Sequence, residues 1–203
     1  MWWVTDSRSE ARALKATQDV LERYSDSVAT LVESLQPTVS EMLGAPANLA
    51  DEDAVAALKE SAKKWAEDIE PEAAKAQALS PPEGFQPTAV VIQQSFMLYR
   101  SAVMTYKLIP GEEDERRRQK LLDRANDQRD LAGQSLTAAL LAIDDARAGA
   151  EMDPAGIQPP STFTPISTSP SEAPGTGGDD DGKGKGRGSR AGSAGENKKK
   201  SDG

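Results

Sequence analysis

Small or apolar residues recur at alternating spacings of three and four in four separate stretches of this chain. The first is Leu14, Thr17, Leu21, Tyr24, Val28, Leu31 and Leu35, and the second is Val55, Leu58, Ala62, Trp65 and Ile69. The third is Ala89, Ile92, Phe96, Tyr99, Val103 and Tyr106, and the fourth is Leu122, Ala125, Arg129, Ala132, Leu136, Ala139, Ile143 and Ala146. A repeat near 3.5 residues lays one stripe along one side of an α-helix, and such a stripe must be buried against other helices. The expected fold is all-α, an antiparallel up-down bundle of about four helices.

Breakers and caps place the boundaries. The first helix should start near Thr5 or Asp6, either of which can accept from the free N–H groups of a first turn. Pro37 should end or kink it, with a short continuation through Met42 that stops at Gly44-Ala45-Pro46. The acidic run Asp51-Glu52-Asp53 suits the start of the second helix, and Pro71 predicts a kink in it, with helix resuming from Glu72 to Leu79. Ser80-Pro81-Pro82-Glu83-Gly84 is the plainest reversal in the chain. The third helix should run from about Pro87 to Leu108 and, with Phe96, Met97, Tyr99, Met104 and Tyr106, be the central element. Pro110-Gly111 turns the chain again, and Glu112-Glu113-Asp114-Glu115 opens a last helix reaching about Gly149, roughly 55 Å long.

Beyond Asp153 the composition changes to prolines spaced through Ser, Thr and Gly, and then to glycine, serine and charge. Such a segment cannot bury enough apolar surface to offset the entropy of ordering it. The expected division is a bundle over residues 1–150 and a disordered tail over residues 151–203, in which Phe163-Thr164-Pro165-Ile166 is an apolar island.

The inventory of chemistry is thin. The chain has no histidine and no cysteine, so it lacks the commonest acid–base group, the best nucleophile and the two strongest metal ligands. The Glu-x-x-His pairs of di-iron bundles are therefore absent. Asp179-Asp180-Asp181-Gly182 departs from the calcium-loop pattern. No phosphate loop or nucleophile elbow occurs. No enzyme activity, cofactor or metal is expected.

The formal net charge is −9, and the residues up to Gly149 hold all but one of the excess negative charges. An acidic folded part repels phosphate backbones, which argues against nucleic acid as a partner. The basic tail residues Lys198-Lys199-Lys200, with Lys183, Lys185, Arg187 and Arg190, are interleaved with glycine and read as solubilising. No run of about 18 apolar residues crosses a membrane. As written the chain is expected in the cytoplasm. Trp2-Trp3-Val4 reads either as a cap on the bundle or as the end of an upstream apolar anchor, which would place the protein in the cell envelope.

Individual polar residues take plain readings. Glu112, Glu113 and Asp114 stand four residues before Arg116, Arg117 and Arg118, a spacing that pairs charges on a helix surface. Arg129 interrupts an alanine stripe, where its guanidinium either reaches out along its own stem, the preferred reading, or pairs with a buried acid. Tyr24, Tyr99 and Tyr106 lie on seams, where a hydroxyl points to the bundle edge or finds a partner.

Leu79-Ser80-Pro81-Pro82, followed by Phe85 at the head of the next helix, resembles the turn of small helical-bundle proteins of the bacterial envelope. The resemblance covers about residues 51–109 and implies an exported, non-catalytic bundle. Two functional readings follow. The first is a protein that works by contact, as an interaction or scaffold component with a protein partner or a second copy, the tail serving as a tether. The second is a small-molecule-binding bundle with a cleft between Trp65, Phe96, Met97 and Tyr99.

Overall fold

The computed structural model describes residues 3–160, with side chains from residue 9 onward, and they belong to one compact unit. The expected tail beyond residue 160, with its apolar island and basic residues, lies outside the described residues. The helices are α1 (Trp3–Leu43), α2 (Glu52–Gln77), α3 (Gln86–Leu108) and α4 (Glu115–Gly149), with a single 3-10 turn, Ile109–Gly111, between the last two. Short connections make chain neighbours antiparallel. Packing runs α1 on α2, α2 on α3, α3 on α4 and α4 back on α1, with no close main-chain approach across either diagonal among the described residues. α3 is embraced most closely, chiefly by α4 and then by α2, whereas α1 approaches α4 over far fewer positions.

Local chemistry accounts for the starts. Asp51 caps α2 by accepting from the Asp53 N–H at 2.9 Å, and Asp114 caps α4 by accepting from the Arg117 N–H at 3.0 Å. Gly84, at φ +85°, completes the reversal before α3, and Pro87 sits in its first turn.

Neither internal proline divides its helix. Pro37 and Pro71 lie inside α1 and α2, which each run on as one element. Both prolines face outward, as do Glu33 and Glu67 four residues before them, so the carbonyls that lose a donor are on the solvent side, where water replaces it. The core stripe of α1 consequently continues past Leu35 through Val39 and Met42.

The stripes of α2 and α3 are buried throughout, and that of α4 from Leu122 to Ile143. The α1 stripe is buried only from Leu21 onward. Leu14 and Thr17, expected in the core, are exposed, as is nearly every residue over 9–20. The cause is length: α1 has 41 residues against 26 in α2, so its first turns overhang the bundle as a lever of about 20 Å.

The packed chain also extends past residue 150, where a tail was expected to begin. Residues 150–160 follow α4 without helix or strand and lie back on the bundle; Ile157 packs against the core and Pro160 is buried. One isoleucine and a few side-chain hydrogen bonds to its main chain hold this proline-containing segment in place.

Candidate functional site

The most connected polar cluster lies inside the bundle. Arg129, 9% exposed, donates from Nη1 to the Met42 carbonyl at 3.0 Å, to Asn126 Oδ1 at 3.1 Å and to the Tyr106 hydroxyl at 3.4 Å. Its Nε and Nη2 both stand 2.8 Å from Asp130 Oδ1. Tyr106 donates to Asn126 Oδ1 at 2.5 Å. The expected escape of the guanidinium to solvent is therefore corrected. Met42 belongs to the last turn of α1, and its carbonyl also accepts from the Ala45 N–H at 3.2 Å, so the guanidinium is a second donor at that helix end and meets its partial negative charge. Burying the cation is tolerable because its donors are bonded and half-exposed Asp130 opposes its charge.

The three tyrosines, two beside this cluster and Tyr24 against Phe85, stay neutral. Burial pushes Tyr106 up to about 12, even though nearby Arg129 opposes the shift. Burial likewise raises Tyr99, whose hydroxyl has no protein partner, and Tyr24, whose hydroxyl is also unpartnered. Buried phenols held in the protonated form neither accept nor release protons near neutrality. The arrangement suits a structural tie between α1, α3 and α4.

Of the four side chains expected to line a ligand cleft, three are in the core. Phe96 and Tyr99 are fully buried, and Trp65 is 2% exposed. The Trp65 ring meets Tyr106 edge-on at 5.3 Å and donates from Nε1 to Glu41 Oε2 at 3.1 Å. Glu41 also pairs with Lys64 at 2.5 Å, and these two donors hold its carboxyl below the usual range. Trp65 borders a small cleft with Glu41, Pro46, Ala57 and Ser61. Met97 is turned away from Phe96 by one helical step of about 100° and accepts through Sδ from Gln77 at the surface. The four residues therefore do not share a cavity. The hydrogen bonds they make go to other protein groups.

Sequence reasoning overlooked the outer face of α3. Val90, Gln94, Met97, Ser101, Met104 and Leu108 follow the same four-and-three spacing as the core stripe, on the opposite side of the helix. Val90, Met104 and Leu108 are 46%, 50% and 63% exposed. No residue of this outer row is charged. The signal was present in the sequence, since α3 carries only Arg100 and Lys107 as charges and is apolar on two faces.

Two adjoining clefts flank α1 where it leaves the bundle. One, of about 550 Å³, lies between Val20, Arg23, Tyr24 and Ser27 and the turn with Leu79, Pro81 and Pro82. The other, of about 350 Å³, lies between Ala16, Thr17 and Leu21 and the residues Pro82 and Phe85. Tyr24 and Phe85 meet edge-on at 6.0 Å and anchor the turn against α1.

The arginine run of α4 is disposed differently from expectation. The helix begins at Glu115, so Glu112 and Glu113 precede it outside helical register, and Asp114 is its cap, bonded to the Arg117 and Arg118 N–H groups. Arg118 instead reaches Glu52 at the start of α2, at 3.0 Å. Among the described residues no three acidic side chains gather as a metal site, and no helix is long and apolar enough to cross a membrane. Comparison with known protein families, curated proteins and solved structures returns no match.

Proposed function

We propose that this protein works by contact and not by catalysis, as a helical-bundle interaction or scaffold component. The observation that carries the reading is the uncharged row on the outside of α3, exposed at Val90, Gln94, Met104 and Leu108, with Met97 and Ser101 half-buried against Gln77 and Gln128. A helix apolar on both sides is ordinarily covered on both. The polar ties inside the bundle are consistent with this reading, since groups such as Glu72, which accepts from Ser34 of α1 at 2.7 Å and from Lys75 of its own helix at 2.7 Å, join elements of the structure.

The partner we assign to this face is a second copy. Two acidic molecules repel each other over most of their surfaces, and the α3 row is a strip on which two copies meet without opposing carboxylates. Sedimentation equilibrium of the full chain should show a dimer that dissociates in the Val90→Glu/Met104→Glu double variant with helical content unchanged. A wild-type chain that stays monomeric throughout, or a variant that dimerises as well as wild type, overturns the assignment. An envelope setting, as the Leu79-Ser80-Pro81-Pro82 turn implies, is tested by fractionating source cells and sequencing the N-terminal peptide. Recovery in the cytoplasmic fraction would discard it.

A further inference from the structure

The side of the bundle between α1 and α4 already holds a peptide segment without helix or strand, the chain's own residues 151–160, which bends at Gly156 (φ +66°). Its main chain is gripped by side chains of the two helices. Arg147 Nε donates to the Asp153 carbonyl at 2.8 Å, Asp144 Oδ1 accepts from the Ala155 N–H at 2.7 Å, and Gln36 Nε2 donates to the Gln158 carbonyl at 3.2 Å. Gln18 Nε2, from the start of the same groove, donates to the Ala150 carbonyl at 2.8 Å. Bonds to main-chain atoms hold a segment that follows this path whatever its side chains, and selectivity comes from the side chains that enter pockets. Here those are Ile157, packed against the core, and Pro160, which is buried. The groove exists because α1 approaches α4 so sparingly, and a cleft of about 370 Å³ beside Gln36, Ser40 and Leu43 continues along the proline end.

The root of the segment is strained. Glu151 has φ +57°, a left-handed conformation that crowds the Cβ of any residue but glycine against the neighbouring carbonyl. The surrounding hydrogen bonds, Met152 N–H to the Arg147 carbonyl and Glu151 N–H to the Ala148 carbonyl, form the helix end that ordinarily takes glycine at that position. Most of the segment's other side chains face solvent.

We propose that the α1/α4 groove is a recognition site for a segment of another protein, of the pattern Gly-aliphatic-x-Pro-Pro, and that residues 151–160 are a cis-bound occupant which such a segment displaces. The groove lies at the corner where α1 meets α4, away from the exposed row of α3, and the proposal does not depend on that face being an interface.

The test uses a fluorescein-labelled synthetic peptide of residues 151–160 and fluorescence anisotropy with the full chain. An occupied groove lowers apparent affinity by the fraction of time it stands open. Full-chain Ile157→Ser, which removes the anchor of the resident segment, should bind the peptide about ten-fold or more tightly than wild type. A peptide carrying the same Ile→Ser change should fail to bind. Glu151→Gly, which relieves the strain of the closed form, should weaken peptide binding below wild type and serves if Ile157→Ser does not fold. In wild type, excess peptide should speed hydrogen exchange at the Ala155 N–H. Equal binding to wild type and variant, no binding to either, or dimers of Ile157→Ser that leave no free site would each overturn the proposal, the last by giving the groove to a second copy.

Discussion

Tyr99 and Tyr106 lie one coiled-coil repeat apart on the same face of α3 and are equally buried, yet their hydroxyls have opposite fates. Tyr106 bonds Asn126 and Arg129, while the Tyr99 hydroxyl has no partner. Removing an unpartnered buried hydroxyl relieves a desolvation penalty, whereas removing a bonded one breaks a network. Tyr99→Phe should therefore raise unfolding free energy by about 1 kcal/mol and Tyr106→Phe lower it by about 1–2 kcal/mol, read from urea denaturation. The folded pKa values of both lie above the ordinary 10.0, so the native state keeps protons that the unfolded chain releases. The stabilisation is complete below pH 10.0 and declines as pH rises through the folded values, with Tyr106 titrating at about 12. The urea midpoint should fall across that window, and less steeply in Tyr99→Phe. At this scale the sequence showed that both tyrosines, and Arg129, stand on seams. Which hydroxyl is bonded depends on Asn126 and on the end of α1, neither of them a neighbour in sequence.

Among the elements, helix ends departed most from what local signals indicated. Pro37 and Pro71 have the chemistry of breakers, but each faces outward, so each helix continues on the strength of its buried side. At the end of α4, Gly149 has the residue type of a left-handed cap and yet occupies the last helical position, while Glu151 takes the left-handed conformation. The helix runs on because Ala150 and Ile157 are drawn onto the bundle, which sets the exit of the chain two residues later than glycine would. Glu151→Gly should stabilise the folded state by up to about 1 kcal/mol, measured as a raised thermal or urea midpoint. A lowered midpoint would mean that the Glu151 side chain contributes more than its backbone costs.

Over the whole molecule, the unequal helix lengths decide what is exposed. α1 overhangs a bundle whose buried α1 positions begin at Leu21, and residues 9–17 of the overhang are exposed. A helix without tertiary packing is only marginally stable and opens locally. Limited trypsin digestion should therefore make its first cuts within the described residues at Arg12 or Lys15, leaving the bundle from Leu21 onward intact. First cuts at Arg100 or Arg124 would contradict that order of stability. The α3 row and the α1/α4 groove are products of the same scale, because an outer face and a gap are defined only by where the neighbouring helices stop.

The sequence alone determined the four helices, the faces that α2, α3 and α4 turn inward, and the acidic runs at which α2 and α4 start, because those features rest on interactions within a few residues and on a period set by helix geometry. It also placed Trp65, Phe96 and Tyr99 on buried-side stripes, which is where they lie, though as core and not as a cleft. Tertiary structure decided how far α1 reaches past the bundle, that Arg129 ends on the Met42 carbonyl, that Met97 faces outward with the exposed row of α3, and that residues 151–160 fill the space between α1 and α4. Each of these depends on contacts between residues far apart in the chain, and a local repeat specifies which side of a helix is apolar but not which neighbour covers it.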